Sequence, residues 1–189
     1  IVRKSPSLGA KPPRDAVVLF DGTKESMKNW QGGRFDEKTG LLNTDGNDIR
    51  TKEKFLNYIM HVEFMLPFKP DARSQGRGNS GFYQVDMYEM QILDSFGLMG
   101  LNNECGGIYQ KADSKVNMCL PPLQWQVYDV DFNSAVMKDA KKVSNAVLTA
   151  RLNGVTIHEK LQINGKTGGA RGEPEGTPGV IKLQGHGNP

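Results

Sequence analysis

Apolar positions in this chain come in short runs and strict alternations, and nowhere at the three- and four-residue spacing of a sustained helix. In "NYIMHVEFML" (57 to 66), Tyr58, Met60, Val62, Phe64 and Leu66 fall on one strand face, and Ile59, His61, Glu63 and Met65 on the other. "SGFYQV", "YEMQIL", "GGIYQ", "QWQVYDVDF", "NAVLTARL", "VTIHE" and "GVIKLQG" follow, each bounded by turn residues. The set predicts an all-β fold with two antiparallel sheets packed as a sandwich. Between "TARL" and "VTIH", Asn153-Gly154 supplies the two positive φ angles of a two-residue type I′ hairpin.

Residues 1–15, rich in Pro, Lys and Arg, read as a tail or a clasp on the surface, and one sandwich domain is expected over residues 16–189, starting at "AVVLF". The length suits a single domain with its own core. Two loops are long and glycine-rich, "KPDARSQGRGN" before "SGFYQV" and "NGKTGGARGEPEGTPG" before the last strand. Such loops sit at the rim of a sheet and carry function or mobility. Lys and Arg number 24 against 21 Asp and Glu, and the basic residues are scattered, so no nucleic-acid footprint is evident and a small neutral partner is expected. No apolar run approaches the roughly 20 residues that span a bilayer, and the N-terminus shows no signal-type apolar segment; a mature secreted protein would read the same way.

The stretch "YEMQILDS" (88 to 95) places Glu89, Gln91 and Asp94 within a predicted strand. Strict alternation puts Glu89 and Gln91 on one face and Asp94 on the other, whereas a β-bulge between Gln91 and Asp94 would bring all three together. They are either the solvated face of a strand or the floor of a site, where burial or a neighbouring charge could raise one carboxyl for acid/base work. Of the three histidines, His61 and His158 stand alone without metal-ligand spacing. His186, in "LQGHGNP", sits between glycines just after a strand, where an imidazole could move protons near neutral pH. Tyr83, Tyr88, Tyr109 and Trp125 either stack on sugar rings or fill the space between sheets. Cys105 and Cys119 close a short loop that permits a disulfide without requiring one, and they lack the CxxC spacing of a zinc site.

Eight motifs in order carry a resemblance. "LFDGT…W" (19 to 30), "EF" (63 and 64), "GNSGFY" (78 to 83), "YEMQILD" (88 to 94), "CGGIY" (105 to 109), "QWQVYDVDF" (124 to 132), "NGVTIH" (153 to 158) and "GVIKLQGHGNP" (179 to 189) resemble the 3-keto-disaccharide hydrolase domain family. The resemblance implies a concanavalin A-like jelly-roll sandwich, related to laminarinase-type glycanases, with a concave sugar-sized groove. It also implies an exported bacterial protein (periplasmic, cell-surface or secreted) whose partner is an oligosaccharide or glycoside. "EMQILD" is similar to the Glu-x-Asp-x-x-Glu strand of those glycanases, with Glu89, Gln91 and Asp94 in its three places. Glutamine in the middle and aspartate last depart from a retaining pair, which needs two carboxyl groups about 5 to 5.5 Å apart.

The resemblance implies a different chemistry. A ketone at C3 acidifies the C2 proton, so a base can remove it and expel the C1 oxygen, and water then adds back to the enone. On that expectation Glu89 is a base or metal ligand and His186 an acid or base, with Gln91, Lys182 and Gln184 as polar support and Asp94, Tyr109 and Trp125 lining the substrate groove. The enolate would be held by hydrogen-bond donors or by a divalent metal. Family members also continue with a further strand past "LQGHGNP", so a terminal segment beyond Pro189 is expected. Two other readings stay open: a lectin-like binding module without turnover, and a structural or adhesion domain.

Overall fold

The alternating runs become a two-sheet β-sandwich in the computed structural model, which describes residues 4–187. Its first half contains β1 (Trp30–Gln31), β2 (Arg34–Asp36), β3 (Leu41–Asn43), β4 (Ile49–Thr51), β5 (Tyr58–Met65), β6 (Asn79–Gln84) and β7 (Tyr88–Leu93). After a long loop follow β8 (Trp125–Asn133), β9 (Val136–Lys138), β10 (Lys141–Ser144), β11 (Ala146–Leu152), β12 (Val155–Ile163) and β13 (Lys182–Leu183). One sheet has the order β1-β4-β13-β6-β7 and the other β12-β11-β8-β5, with β2/β3 and β9/β10 as separate hairpins; every pairing is antiparallel. The short β13, late in sequence, lies between β4 and β6 and so brings the C-terminal region against Tyr83.

The even-numbered residues of β7 and β8 meet between the sheets. Phe82, Met90 and Ile92 pack in one core with Tyr128, Val130, Leu148 and Leu152. The Tyr128 ring stacks 6.4 Å from Phe82, and Tyr88 lies 5.6 Å from Phe132. Each side chain of this size, taken fully out of water, contributes about 1.5–3 kcal/mol. Tyr128 also donates its hydroxyl proton to the Gln91 carbonyl at 2.7 Å, which pins β7 to the opposite sheet.

β5 alternates as its sequence predicts: Tyr58, Met60, Val62 and Phe64 pack on the core while Ile59 is 85% exposed. The hairpin at Asn153-Gly154 has φ angles of 53° and 81°, the pair that a type I′ turn requires. "AVVLF", the expected start of the domain, lies outside both sheets. Two readings need correction. "GGIYQ" is no strand, because Ile108 makes only single bridges to Met90 and Ala112. The bulge is absent from the pairing of β7 with β6, whose register runs without a shift from Asn79↔Leu93 to Gln84↔Tyr88.

The described part of the N-terminal segment lies on the outer face of the second sheet, where Ser7 donates to Asp129 at 2.7 Å and Pro6 covers Gly154. Residues 1–3, and Asn188 and Pro189 of the last motif, lie outside the described residues. Cys105 and Cys119 are free, buried thiols in mutual contact, so the permitted disulfide is not formed here. Among the described residues no helix is long and apolar enough to cross a membrane.

Candidate active site

Alternation along β7 sends Tyr88, Met90 and Ile92 into the core, which leaves Glu89 and Gln91 on the sheet's outer face. The same parity on β6 gives Asn79, Gly81 and Tyr83, directly opposite Leu93, Gln91 and Glu89. The backbone of Glu89 is engaged away from β6: its N–H donates to Thr167 Oγ1 at 2.9 Å and its carbonyl accepts from Tyr109 at 3.1 Å. Tyr83 and Glu89 are thus a non-hydrogen-bonded cross-strand pair, the arrangement that holds side chains closest. Together with the 165–169 loop and the chain after β13 they enclose a cavity of about 220 Å³.

Glu89 is 3% exposed, and the Tyr83 hydroxyl donates to its Oε2 at 2.7 Å. Burial pushes its carboxyl up to about 7, against the Tyr83 hydrogen bond and the Lys182 charge, which pull it down. Tyr83 has a second acceptor, the Gly168 carbonyl at 2.9 Å. When Glu89 is protonated it can donate to the Tyr83 oxygen while the Tyr83 proton turns to Gly168, so both protonation states of Glu89 keep their hydrogen bonds. Tyr83 itself is held far above the usual phenol range, first by burial and then by the Glu89 charge, and stays a neutral donor. Gly81 has no side chain for a steric reason: a Cβ there would lie 2.5 Å from Glu89 Oε1 and 2.9 Å from the Tyr83 ring.

The second glycine-rich loop forms one wall. Thr167 anchors it to Met87, and Arg171 ties it to the Val85 carbonyl at 3.0 Å. Gly169, at φ +70°, brings its backbone so close to the Tyr83 hydroxyl that a Cβ would lie 2.9 Å away. Amides supply most of the remaining lining. Gln184 Nε2 donates to Tyr83 at 3.4 Å, and Gln91 Nε2 donates at 3.2 Å to Gln75, which bridges to Asn79. Tyr109 and the exposed His186 complete the rim.

Glu89, Gln91, Tyr109, Gln184 and His186 therefore converge on one cavity. Three other expected residues stand elsewhere. Lys182 is 2% exposed and lies behind the lining: its Nζ sits 3.7 Å from the Tyr83 ring centroid and 2.9 Å from Asp86 Oδ1, and it donates to the Gly169 carbonyl at 2.7 Å. Asp94 is buried one residue past β7, 3.2 Å from Arg77, outside the cavity, because the unshifted register never brings it to the face of Glu89. Trp125 opens β8 opposite Met65, in the other sheet, on the face away from the core that Tyr128 and Val130 occupy. Gln75, Asn79 and the Gly168-Gly169 backbone are lining that the sequence reading did not single out, and Tyr83, expected to stack on a sugar or fill the core, lines the cavity with its hydroxyl on Glu89. The common parity of Asn79, Gly81 and Tyr83 in "NSGFYQ" was the available signal.

Among the described residues no three His, Cys, Asp or Glu side chains converge as a metal site, and the cavity offers one carboxylate. The arrangement can take up and release a proton at Glu89 near neutral pH, and it can hold several hydroxyl or carbonyl oxygens on amide donors.

No curated protein matches the chain significantly. Three crystal structures from Parabacteroides distasonis, each described as a candidate glycosyl hydrolase, are similar to it. One is 31% identical with a TM-score of 0.81, over 94% of this chain and 79% of its own. A second is 18% identical with a TM-score of 0.63, over 90% of this chain and 87% of its own. The third, 17% identical with a TM-score of 0.57 over 84% and 86%, shares the fold. The 31% identical structure and the cavity agree with a carbohydrate-active protein, and the other two likenesses show the fold. Residues 15–189 match the sequence profile of one family, and the chain belongs to it: the 3-keto-alpha-glucoside-1,2-lyase-like domain family.

Proposed function

We propose that the protein cleaves 3-keto-glycosides by elimination across C1 and C2, followed by hydration. The observation that supports this best is Glu89, the lone carboxylate of the cavity, buried on Tyr83 with its carboxyl raised to about 7. A single carboxylate cannot run a double displacement with separate nucleophile and acid. It can serve as the base of an elimination, in which a carboxyl poised near the working pH both takes and returns a proton.

In this reading Glu89 removes the C2 proton, and the electron pair of that bond forms an enolate with the C3 ketone. Collapse of the enolate makes the C1–C2 double bond and breaks the bond from C1 to the aglycone oxygen, which receives a proton from His186. Water then adds at C1 and gives up a proton to His186, while Glu89, whose proton has exchanged with solvent as the aglycone departs, protonates C2, giving the free 3-keto sugar and the aglycone alcohol. Gln91 and Gln184 hold the sugar oxygens, and Tyr83 orients Glu89. Lys182 acts from behind as a positioning residue.

Turnover of a 3-keto-glucoside compared with its parent glucoside tests the reading. The keto compound is cleaved and the parent is not, because only the ketone acidifies C2; Glu89→Gln removes cleavage and keeps substrate affinity. Cleavage of neither compound by the wild-type protein, with affinity for both, would instead establish a binding module.

A further inference from the structure

The loop that follows β7 carries Phe96, Leu98, Met99 and Leu101, which are 54%, 46%, 81% and 45% exposed. Single exposed apolar residues are ordinary, but four within six positions form a patch that a soluble surface normally avoids. The loop that displays them is built rather than loose. Asn117 Nδ2 donates to the carbonyls of Ser95 and Leu98 at 2.8 and 2.9 Å, and Glu104 Oε2 accepts from the N–H groups of Gly100 and Leu101. Ser114 donates its backbone N–H to Gly100 at 2.8 Å. Ordering of this kind holds apolar side chains in water at a cost, which a ligand would offset.

The same loop is continuous with the cavity. Gln75, which lines the cavity and accepts from Gln91, donates its Nε2 to the Asn103 carbonyl at 2.8 Å. Gly107 packs against the backbone of Leu101 and Asn102 so closely that a Cβ there would lie 2.5 Å from the Leu101 carbonyl oxygen, and its own carbonyl accepts from Gln91 at 2.9 Å. The cavity, at about 220 Å³, is smaller than the roughly 300–1,000 Å³ of sites that enclose drug-sized ligands. It suits one sugar ring, so whatever is attached to C1 must leave past the rim.

We propose that residues 96–101 form an aglycone platform that selects glycosides with an apolar aglycone such as a phenyl ring. This rests on the reading of the cavity as a sugar site, but it does not need the elimination chemistry. The platform leaves the sugar ring to the amides and Glu89 and adds apolar contact outside the cavity, so its contribution is separable from turnover.

The test uses unoxidised phenyl and methyl glucosides, bound to the intact protein and followed by calorimetry. The wild-type protein binds the phenyl glucoside about tenfold more tightly than the methyl glucoside, a ratio equal to ~1.4 kcal/mol. In Leu98→Ser and Met99→Ser, both at exposed positions, the ratio falls towards one while methyl glucoside affinity stays constant; Met99→Leu keeps it. A wild-type ratio near one, no binding of either glucoside, or a ratio unchanged in both serine variants overturns the proposal. So does loss of a dimer in the serine variants with the ratio intact, which would make the patch a self-association face. A phenyl preference in a protein that cleaves no 3-keto-glucoside would retain the platform and remove the elimination reading.

Discussion

At Glu89 burial and hydrogen bonding act in opposite directions, and burial wins. Its folded pKa of about 7 lies above the ordinary value of 4.5, so between those pH values the native state binds more protons than the unfolded chain. Stability therefore falls as pH rises from 4.5 to 7, by ~3 kcal/mol, and the loss is complete above pH 7. Glu89→Gln lacks the ionisable group, so its melting temperature exceeds that of the wild type at pH 8, and the gain largely disappears at pH 4.5; thermal melts at the two pH values measure it. A gain of equal size at both would mean that the buried charge is not its source. Conversely, turnover that needs ionised Glu89 rises with pH through 7. Strand parity placed Glu89 and Gln91 on one face, and the resemblance, not the parity, made that face a candidate site. The position of Asp94 was not legible, because it depended on a bulge that the sequence permits and the continuous β6–β7 register excludes.

Strand β6 shows how an element places chemistry through a residue with no side chain. Gly81 lies opposite Gln91 on the cavity face, and the space its missing Cβ leaves is filled by the Glu89 carboxylate and the Tyr83 ring. Gly81→Ala therefore displaces Glu89, and a displacement of about 1 Å lowers turnover on the order of 100-fold. The expected outcome is a fall in kcat with little change in KM and a native-like circular dichroism spectrum. Unchanged kcat would mean that the carboxylate position is not critical. β5, β8 and the β11–β12 hairpin were readable because period-two alternation or an Asn-Gly turn marks them. β13 was only partly readable: two paired residues carry little pattern, and its place between β4 and β6 is a long-range pairing. Trp125 illustrates the same limit, since local pattern does not say to which sheet a strand belongs.

Across the molecule the two sheets divide the work, one holding the cavity and the other, on its outer face, the N-terminal segment. Ser7 on Asp129 and Pro6 on Gly154 fasten that segment to β8 and the β11–β12 turn. A hydrogen bond to a charged group is worth about 1.5–3 kcal/mol. Deleting residues 1–9 should cost about that much stability in urea unfolding, with kcat/KM unchanged because the segment is remote from the cavity. A comparable loss of activity would show that the sheets are coupled. The sandwich was legible because many short alternating runs admit few other architectures. The cavity was legible only in part, since its lining is drawn from positions 75 to 186 and includes loops without periodicity. The central claim, proton removal at C2 by Glu89, is tested most directly by cleaving a 3-keto-glucoside in deuterium oxide and locating the label. Elimination and hydration place deuterium at C2 of the released 3-keto sugar in the wild type, and Glu89→Gln gives neither cleavage nor exchange. A cleaved sugar carrying its original hydrogen at C2 would contradict the account.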